Sequence, residues 1–262
     1  MGIRSVLVVY AEPRNEEQNS ALKTVTGTLK KHKIKYKSAN RDTLDKSQFK
    51  GKELVIAVGG DGTFLRAAQF IGKQMLFGVN ADVKNKEGFF MKSNKKGFEK
   101  KLEKILKNKA RILELPRLQA SIDGRKVGIM ALNEFYIGSR KAYHAAKYII
   151  KIGNKKERQK SSGVLVTTPA GSYSWAKSCR GKVLPLKSQE FQYIVREPYE
   201  GKVFKNYGIT YGILSKGHNA EIISEMLDGI IVADSVSREF DFKEGKKAKI
   251  RLSNKKIRVV WE

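Results

Sequence analysis

Val55–Ala68 reads VIAVGGDGTFLRAA. An apolar run, Leu54 to Val58, breaks into Gly59-Gly60-Asp61-Gly62-Thr63 and resumes as Phe64, Leu65, Ala67 and Ala68 at helical spacing. This is the one-dimensional pattern of a strand, a tight turn and a helix. Glycines at such a turn let backbone come close to a ligand, and the first amides of the helix point outward with partial positive charge, which suits phosphate. Asp61 stands out, because a carboxylate repels phosphate. It suits taking a proton from a hydroxyl or holding a metal ion. A second reading of the same residues has Asp61 and Thr63 capping the helix while the glycines only turn the chain.

Around this stretch the first half of the chain alternates. Ile3 to Tyr10 reads as a strand, Glu16 to Lys31 as an amphipathic helix, Ile34 to Ala39 and Met75 to Val79 as further strands, and Phe98 to Leu106 as a lysine-rich helix. Such alternation predicts an α/β domain built on a mostly parallel sheet, with ligands beyond the carboxyl ends of the strands. Gly59 to Thr63 and Asn80 both fall there. Beyond Pro116 the pattern changes to short strands divided by turn signals such as Asp123-Gly124, Gly153-Asn154 and Asp228-Gly229. The expected organisation is an α/β domain over 1–113, to which 248–262 can return, and a β-rich domain over 114–247.

The 262 residues include 53 Lys plus Arg against 26 Asp plus Glu, a formal net charge of +27. A field of that sign attracts polyanions. The lysines are dispersed and no RRM, zinc-finger or helix-turn-helix pattern accompanies them, so no specific nucleic-acid partner is expected. Cys179 is the single cysteine, which excludes an internal disulfide and suits a reducing compartment. No apolar run approaches the length of a membrane span, so the expectation is a cytoplasmic protein without a membrane partner. His32, His144 and His218 lack metal-ligand spacing, and no protein metal site is expected.

Two more segments carry chemistry. Leu132-Asn133-Glu134 lies in an apolar stretch read as one strand from Lys126 to Ile137, where an adjacent amide and carboxylate need partners. They suit ribose hydroxyls and a carboxamide; an edge strand or a bend with both groups wet is the alternative. Ser161–Ser178, SSGVLVTTPAGSYSWAKS, reads as a strand ending in the small-residue turn Thr168-Pro169-Ala170-Gly171-Ser172, then a helix led by Tyr173 and Trp175. Small residues admit a flat ligand and the rings can cover it, although both aromatics fit packing at least as well.

In order, GGDGT at Gly59–Thr63, GVN at Gly78–Asn80 with Gly88-Phe89 after it, LNE at Leu132–Glu134 and TPAGSYSW at Thr168–Trp175 resemble the motif set of the NAD kinase family. The resemblance spans the chain. It is nearest to the divergent branch with mitochondrial and archaeal members, and Leu227-Asp228-Gly229 followed by Phe242–Leu252 and Ile257–Val260 resembles the family's final hairpin. It implies an α/β domain, a β-rich domain forming the other wall of the NAD site, and NAD as the substrate phosphorylated by ATP or polyphosphate with Mg2+ or another divalent cation. Asp61 is then the catalytic residue, acting on the 2'-hydroxyl of the adenosine ribose. Gly60, Gly62, Thr63, Arg66, Asn80 and Phe89 are expected on the nucleotide. Asn133 and Glu134 would meet the nicotinamide-side ribose, Tyr173, Ser174, Trp175 and Ser178 would line the adenine pocket, and Ser162, Thr168, Gly171 and Ser172 are further binding residues. A homodimer or homotetramer is the implied assembly.

Ser162 stands where the family usually has Asp, and Tyr173-Ser174-Trp175 replaces Thr-Ala-Tyr, which leaves the choice between NAD and NADH open. Two rivals are a lipid kinase of the diacylglycerol or sphingosine type, which shares GGDGT, and a non-catalytic nucleotide or nucleic-acid binding protein on the same fold. No Walker A pattern and no HRD or DFG set is present.

Overall fold

The protein is described here from a computed structural model covering residues 3–236 and 239–261. Its contacts divide it into two units, one holding residues up to Glu114 with those from Ile257 onward, the other Leu115–Lys256. The first unit carries β1 (Ser5–Tyr10), α1 (Glu16–Lys31), β2 (Lys35–Asn40), β3 (Leu54–Gly59), α2 (Asp61–Ala68), β4 (Met75–Asn80), β5 (Ser93–Asn94), α3 (Phe98–Leu106) and β6 (Ile112–Leu115). Then follow β7 (Leu118–Ile122), β8 (Arg125–Ala131), β9 (Glu134–Ser139), β10 (Ala146–Ile152), β11 (Lys155–Ser161), β12 (Val164–Thr167) and α4 (Trp175–Ser178). The last strands are β13 (Glu190–Val195), β14 (Tyr211–Ser215), β15 (Ala220–Ser224), β16 (Gly229–Ala233), β17 (Phe240–Asp241), β18 (Lys247–Leu252) and β19 (Ile257–Val260).

In the first unit the sheet order is β2-β1-β3-β4-β19-β6, with β5 beside β4. The registers β1 to β2, β1 to β3, β3 to β4 and β4 to β19 are all parallel. All six residues of β3 are buried, as a central parallel strand covered on both faces requires. Helix α1 starts where the Asn15 side chain accepts the Gln18 amide at 2.9 Å, with Glu16 and Glu17 in its first turn and Lys30 and Lys31 in its last. That charge order complements the helix dipole. Val25 and Leu29 of α1 and Phe98 and Leu102 of α3 share a core with Val6, Ile56 and Phe77 of the sheet. β3 and β4 end level, Gly59 opposite Asn80, so the glycine turn and Asn80 share one rim.

The second unit is two antiparallel sheets, β11-β10-β15-β18-β7-β8 and β14-β13-β12-β9-β16-β17. Tyr148, Ile222 and Ile250 of one and Phe135, Val166 and Ile231 of the other belong to one core, the arrangement of a sandwich. Asp123-Gly124, both at positive φ (48° and 79°), makes the two-residue turn between β7 and β8 that the sequence signals. An α/β unit with a mostly parallel sheet beside a β-rich unit is the fold class expected.

Three local readings change. The stretch Lys126–Ile137 is two strands, because β8 stops at Ala131 and β9 starts at Glu134, so Asn133 occupies a bend. The helix led by Trp175 is one turn, α4, preceded by a 3-10 turn at Gly171–Tyr173. The segments expected to close the chain as a hairpin do not pair: β18 lies in the second unit's sheet and β19 crosses to lie parallel to β4.

Candidate active site

At the end of β3 the backbone has no room for side chains. A Cβ on Gly59 would stand 2.5 Å from Thr63 Oγ1, and one on Gly60 would meet the stem of Lys86 at 3.0 Å. Gly60 is the N-cap of α2 and contributes no side-chain cap. Asp61 does not cap the helix either. Its Oδ2 accepts the Phe89 amide at 2.9 Å and its Oδ1 the Phe90 amide at 2.8 Å. A carboxylate has about four acceptor positions, so two stay available on this half-buried group. Thr63 is buried and its hydroxyl accepts from Arg41 Nη1 at 3.2 Å. The helix-cap reading of Asp61 and Thr63 therefore fails.

The loop that supplies those amides is itself pinned. Asn80 Nδ2 donates to the Lys86 carbonyl at 3.1 Å, and its Oδ1 accepts the Asp82 amide at 3.0 Å. A Cβ on Gly78 would lie 2.5 Å from the Phe90 carbonyl, so only glycine lets this segment pass so near β4. Cations gather at the same rim. Burial holds the Lys86 ammonium below its usual range, helped by Arg41 and Arg14, against the pull of Asp82. Burial likewise lowers Lys92, which lies 4.0 Å from the Trp261 ring centre and is drawn up by Asp61. Arg66 Nη1 pairs with Asp42 at 3.4 Å, and Gly62 is half-buried beside Arg41.

In the second unit Asp234 organises the bend at Asn133. Its carboxylate accepts the amides of Leu132 at 3.0 Å, Asn133 at 2.6 Å and Glu134 at 3.3 Å, while its own amide donates to the Glu134 carbonyl at 2.9 Å. Burial drives the Asp234 carboxyl up to about 7 against those amides and against Arg117. Glu134 is pushed up to about 8, by burial first and by Asp234 second. Arg117, 1% exposed, donates Nε to the Lys255 carbonyl and Nη2 to that of Lys256, and burial lowers it to about 10. Asn133 Oδ1 and Glu134 Oε2 are buried acceptors without a hydrogen-bond partner. A ligand donor would relieve that cost.

The Thr168–Ser172 turn is stitched to the same bend. Thr168 donates its amide to the Asn133 carbonyl at 2.8 Å and its hydroxyl to the Leu132 carbonyl at 2.5 Å, and accepts the Gly171 amide at 3.0 Å. A Cβ on Gly171 would overlap the Asn133 carbonyl at 2.2 Å. Ser172 donates to the Pro169 carbonyl and accepts the Leu184 amide. Both hydroxyls are thus engaged within the protein and shape the turn. Trp175 stacks on Tyr136 at 5.5 Å with the Arg196 guanidinium 4.7 Å over its ring. Tyr173, Ser174 and Ser178 are exposed, and half-buried Ser162 donates its amide to the Arg196 carbonyl.

Sequence reasoning therefore reached two clusters. Asp61, Gly60, Gly62, Thr63, Asn80 and Phe89 meet at one rim of the first unit. Asn133, Glu134, Thr168, Gly171 and Ser172 meet at one end of the second. It missed Asp234, Arg117, Arg41, Lys86 and Lys92. The sign of Asp234 was there to read, an acid directly after the all-apolar strand Gly229–Ala233. The turn signal Asp228-Gly229 lies at the other end of that strand, where Asp228 accepts from the Ser139 hydroxyl. Among the described residues no helix is long and apolar enough to cross a membrane.

Residues 3–110 match the family model of the ATP-NAD kinase N-terminal domain. A probable NADH kinase of Oryza sativa subsp. japonica is 25% identical over 247 residues, covering 86% of this chain and 75% of the relative. An NAD kinase of Streptococcus pyogenes serotype M3 is 27% identical over 218 residues, covering 80% of this chain and 76% of its own. Among solved structures, an NAD kinase from Archaeoglobus fulgidus in complex with ATP has a TM-score of 0.79 at 23% identity, covering 98% of this chain and 93% of that one. Yeast NADH kinase complexed with NADH has a TM-score of 0.83 at 14% identity, covering 100% and 84%. The first unit thus matches the ATP-NAD kinase N-terminal domain, and the chain is similar to NAD and NADH kinases along most of its length and shares their fold.

Proposed function

We propose that this chain transfers the terminal phosphoryl group of ATP to the 2'-hydroxyl of the adenosine ribose of NAD, forming NADP. The observation that carries this reading is the Asp61 carboxylate, held by the Phe89 and Phe90 amides and still able to accept from a hydroxyl. Asp61 takes the proton as the ribose oxygen attacks the phosphorus, and the bond from that phosphorus to the ADP oxygen breaks. The glycine backbone at Gly60 and Gly62 faces the diphosphate, and Arg41, Lys86 and Arg66 supply positive charge for phosphates. In the second unit the unpartnered acceptors of Asn133 and Glu134 take ribose hydroxyls or the carboxamide.

Mg2+ fits as the companion of ATP. The glycine turn offers one carboxylate, already accepting two amides, and the only His and carboxylate cluster among the described residues is His32, Glu99 and Glu103, on other elements. A metal that keeps its waters and binds chiefly through donor phosphates matches that donor set. The test is incubation of the purified protein with NAD or NADH, ATP and Mg2+, with product read by an NADP-dependent dehydrogenase. Formation of NADP or NADPH supports the reading; absence of both with every donor, polyphosphate included, defeats it.

A further inference from the structure

The sheet β11-β10-β15-β18-β7-β8 turns one face to the core and the other outward. Along β18, Ala248, Ile250 and Leu252 are buried while Lys247, Lys249 and Arg251 are exposed. The register carries this alternation across the sheet. Lys249 stands opposite Ser121 and Glu221, Ser121 opposite Lys126, Glu221 opposite Lys151, and Lys151 opposite Lys156. One row therefore reads Lys156, Lys151, Glu221, Lys249, Ser121, Lys126, with Lys247 and Arg251 two residues to either side of Lys249. These positions hold six cations and one acid, Glu221, whose carboxylate is engaged by Lys249 at 3.1 Å. The imbalance is steeper than the 53 to 26 of the chain. Two hollows of about 410 Å³ and 320 Å³ open on the same face, both lined by Gln119, Lys126 and Arg251.

We propose that this face docks the phosphate backbone of a nucleic-acid duplex without reading its sequence. Charge complementarity selects a polyanion. With strands about 4.8 Å apart the six-position row spans about 24 Å, enough to reach phosphates on both sides of a major groove about 12 Å wide. The six positions of this row carry no aromatic ring, and the rings of Phe204 and Tyr199 lie beyond it, against Arg158 and Lys160 of β11. Single strands are held by stacking their bases on such rings, whereas a duplex needs phosphate contacts alone. The docking surface is independent of the phosphoryl-transfer reading and uses none of the residues assigned to it.

The test is anisotropy of a labelled random-sequence duplex against the intact protein over a salt series. It compares wild type, Lys126→Ala/Lys249→Ala/Arg251→Ala, and Lys35→Ala/Lys50→Ala/Lys73→Ala, a charge-matched control of exposed lysines in the first unit. Each lost phosphate contact lowers the slope of log affinity against log salt by about 1. The expected result is salt-dependent binding whose slope drops by about three in the sheet variant and stays unchanged in the control. Equal losses in both variants would assign the binding to diffuse charge and overturn the proposal. No duplex binding, or binding of inorganic polyphosphate in its place, would overturn it as well.

Discussion

Asp234 and Glu134 hold each other through the backbone: the Glu134 amide donates to the Asp234 carboxylate at 3.3 Å, and the Asp234 amide returns a bond to the Glu134 carbonyl at 2.9 Å. Two buried carboxyls thus sit at adjoining ends of β9 and β16, with Arg117 as the countercharge of Asp234. Asp234→Ala removes the acceptor of three amides and leaves the Arg117 charge without it. We expect a loss of about 3–5 kcal/mol of stability. Asp234→Asn, which keeps an acceptor oxygen, should lose less. Urea unfolding of the three proteins measures the order, and an alanine variant as stable as wild type contradicts it.

The same pair sets a pH dependence. Both folded values, about 8 for Glu134 and about 7 for Asp234, lie above the ordinary carboxyl range. Between about pH 4.5 and 8 the folded state therefore binds more protons than the unfolded chain, and stability falls as pH rises. The contribution is complete below the unfolded values and gone once pH has passed the folded ones. Thermal melts from pH 5 to 8 should show a falling melting temperature, with a shallower slope in Glu134→Gln. A slope that the substitution leaves unaltered counts against this assignment.

Gly78→Ala tests the seat of the Phe89–Phe90 amides. The added Cβ would meet the Phe90 carbonyl at 2.5 Å and must push away the segment that orients Asp61. Overpacking of this kind costs about 1–3 kcal/mol, so the protein should fold. Its turnover number should fall well beyond any change in the Michaelis constants. Unchanged turnover in a folded variant would separate Asp61 from this segment.

Glu134→Ala removes one of the two unpartnered acceptors in the second unit. Its affinity for NAD should drop about tenfold, the effect of losing roughly one hydrogen bond of about 1.4 kcal/mol, while that for ATP holds. Calorimetry with each ligand alone reads this directly. Equal loss for both ligands would indicate damage to the fold.

The parts legible in the sequence were those whose cause is local. The strand, turn and helix around Asp61, the Asp123-Gly124 hairpin and the amphipathic helix α1 each depend on residues a few positions apart. What escaped depends on distance along the chain. β11, KKERQKS, has no apolar residue to announce it and exists because β10 pairs with it after the Gly153-Asn154 turn. Asp234 meets amides about a hundred residues earlier, and β19 returns to β4, partnerships that only the folded topology reveals. Trp175, which the sequence left between packing and a ligand-covering ring, stacks on Tyr136 of one strand and on Arg196 just beyond another, partners far off in sequence.

We propose that Asp61 accepts the proton of the attacking hydroxyl. Rapid-mixing measurement of the rate of NADP formation by Asp61→Asn at saturating NAD and ATP, with NAD affinity determined on the same preparation, tests it most directly. General-base assistance contributes about 10²–10⁴ in rate. The expected result is a fall of at least about a hundredfold with NAD still bound, and wild-type turnover in that variant would contradict the role of Asp61.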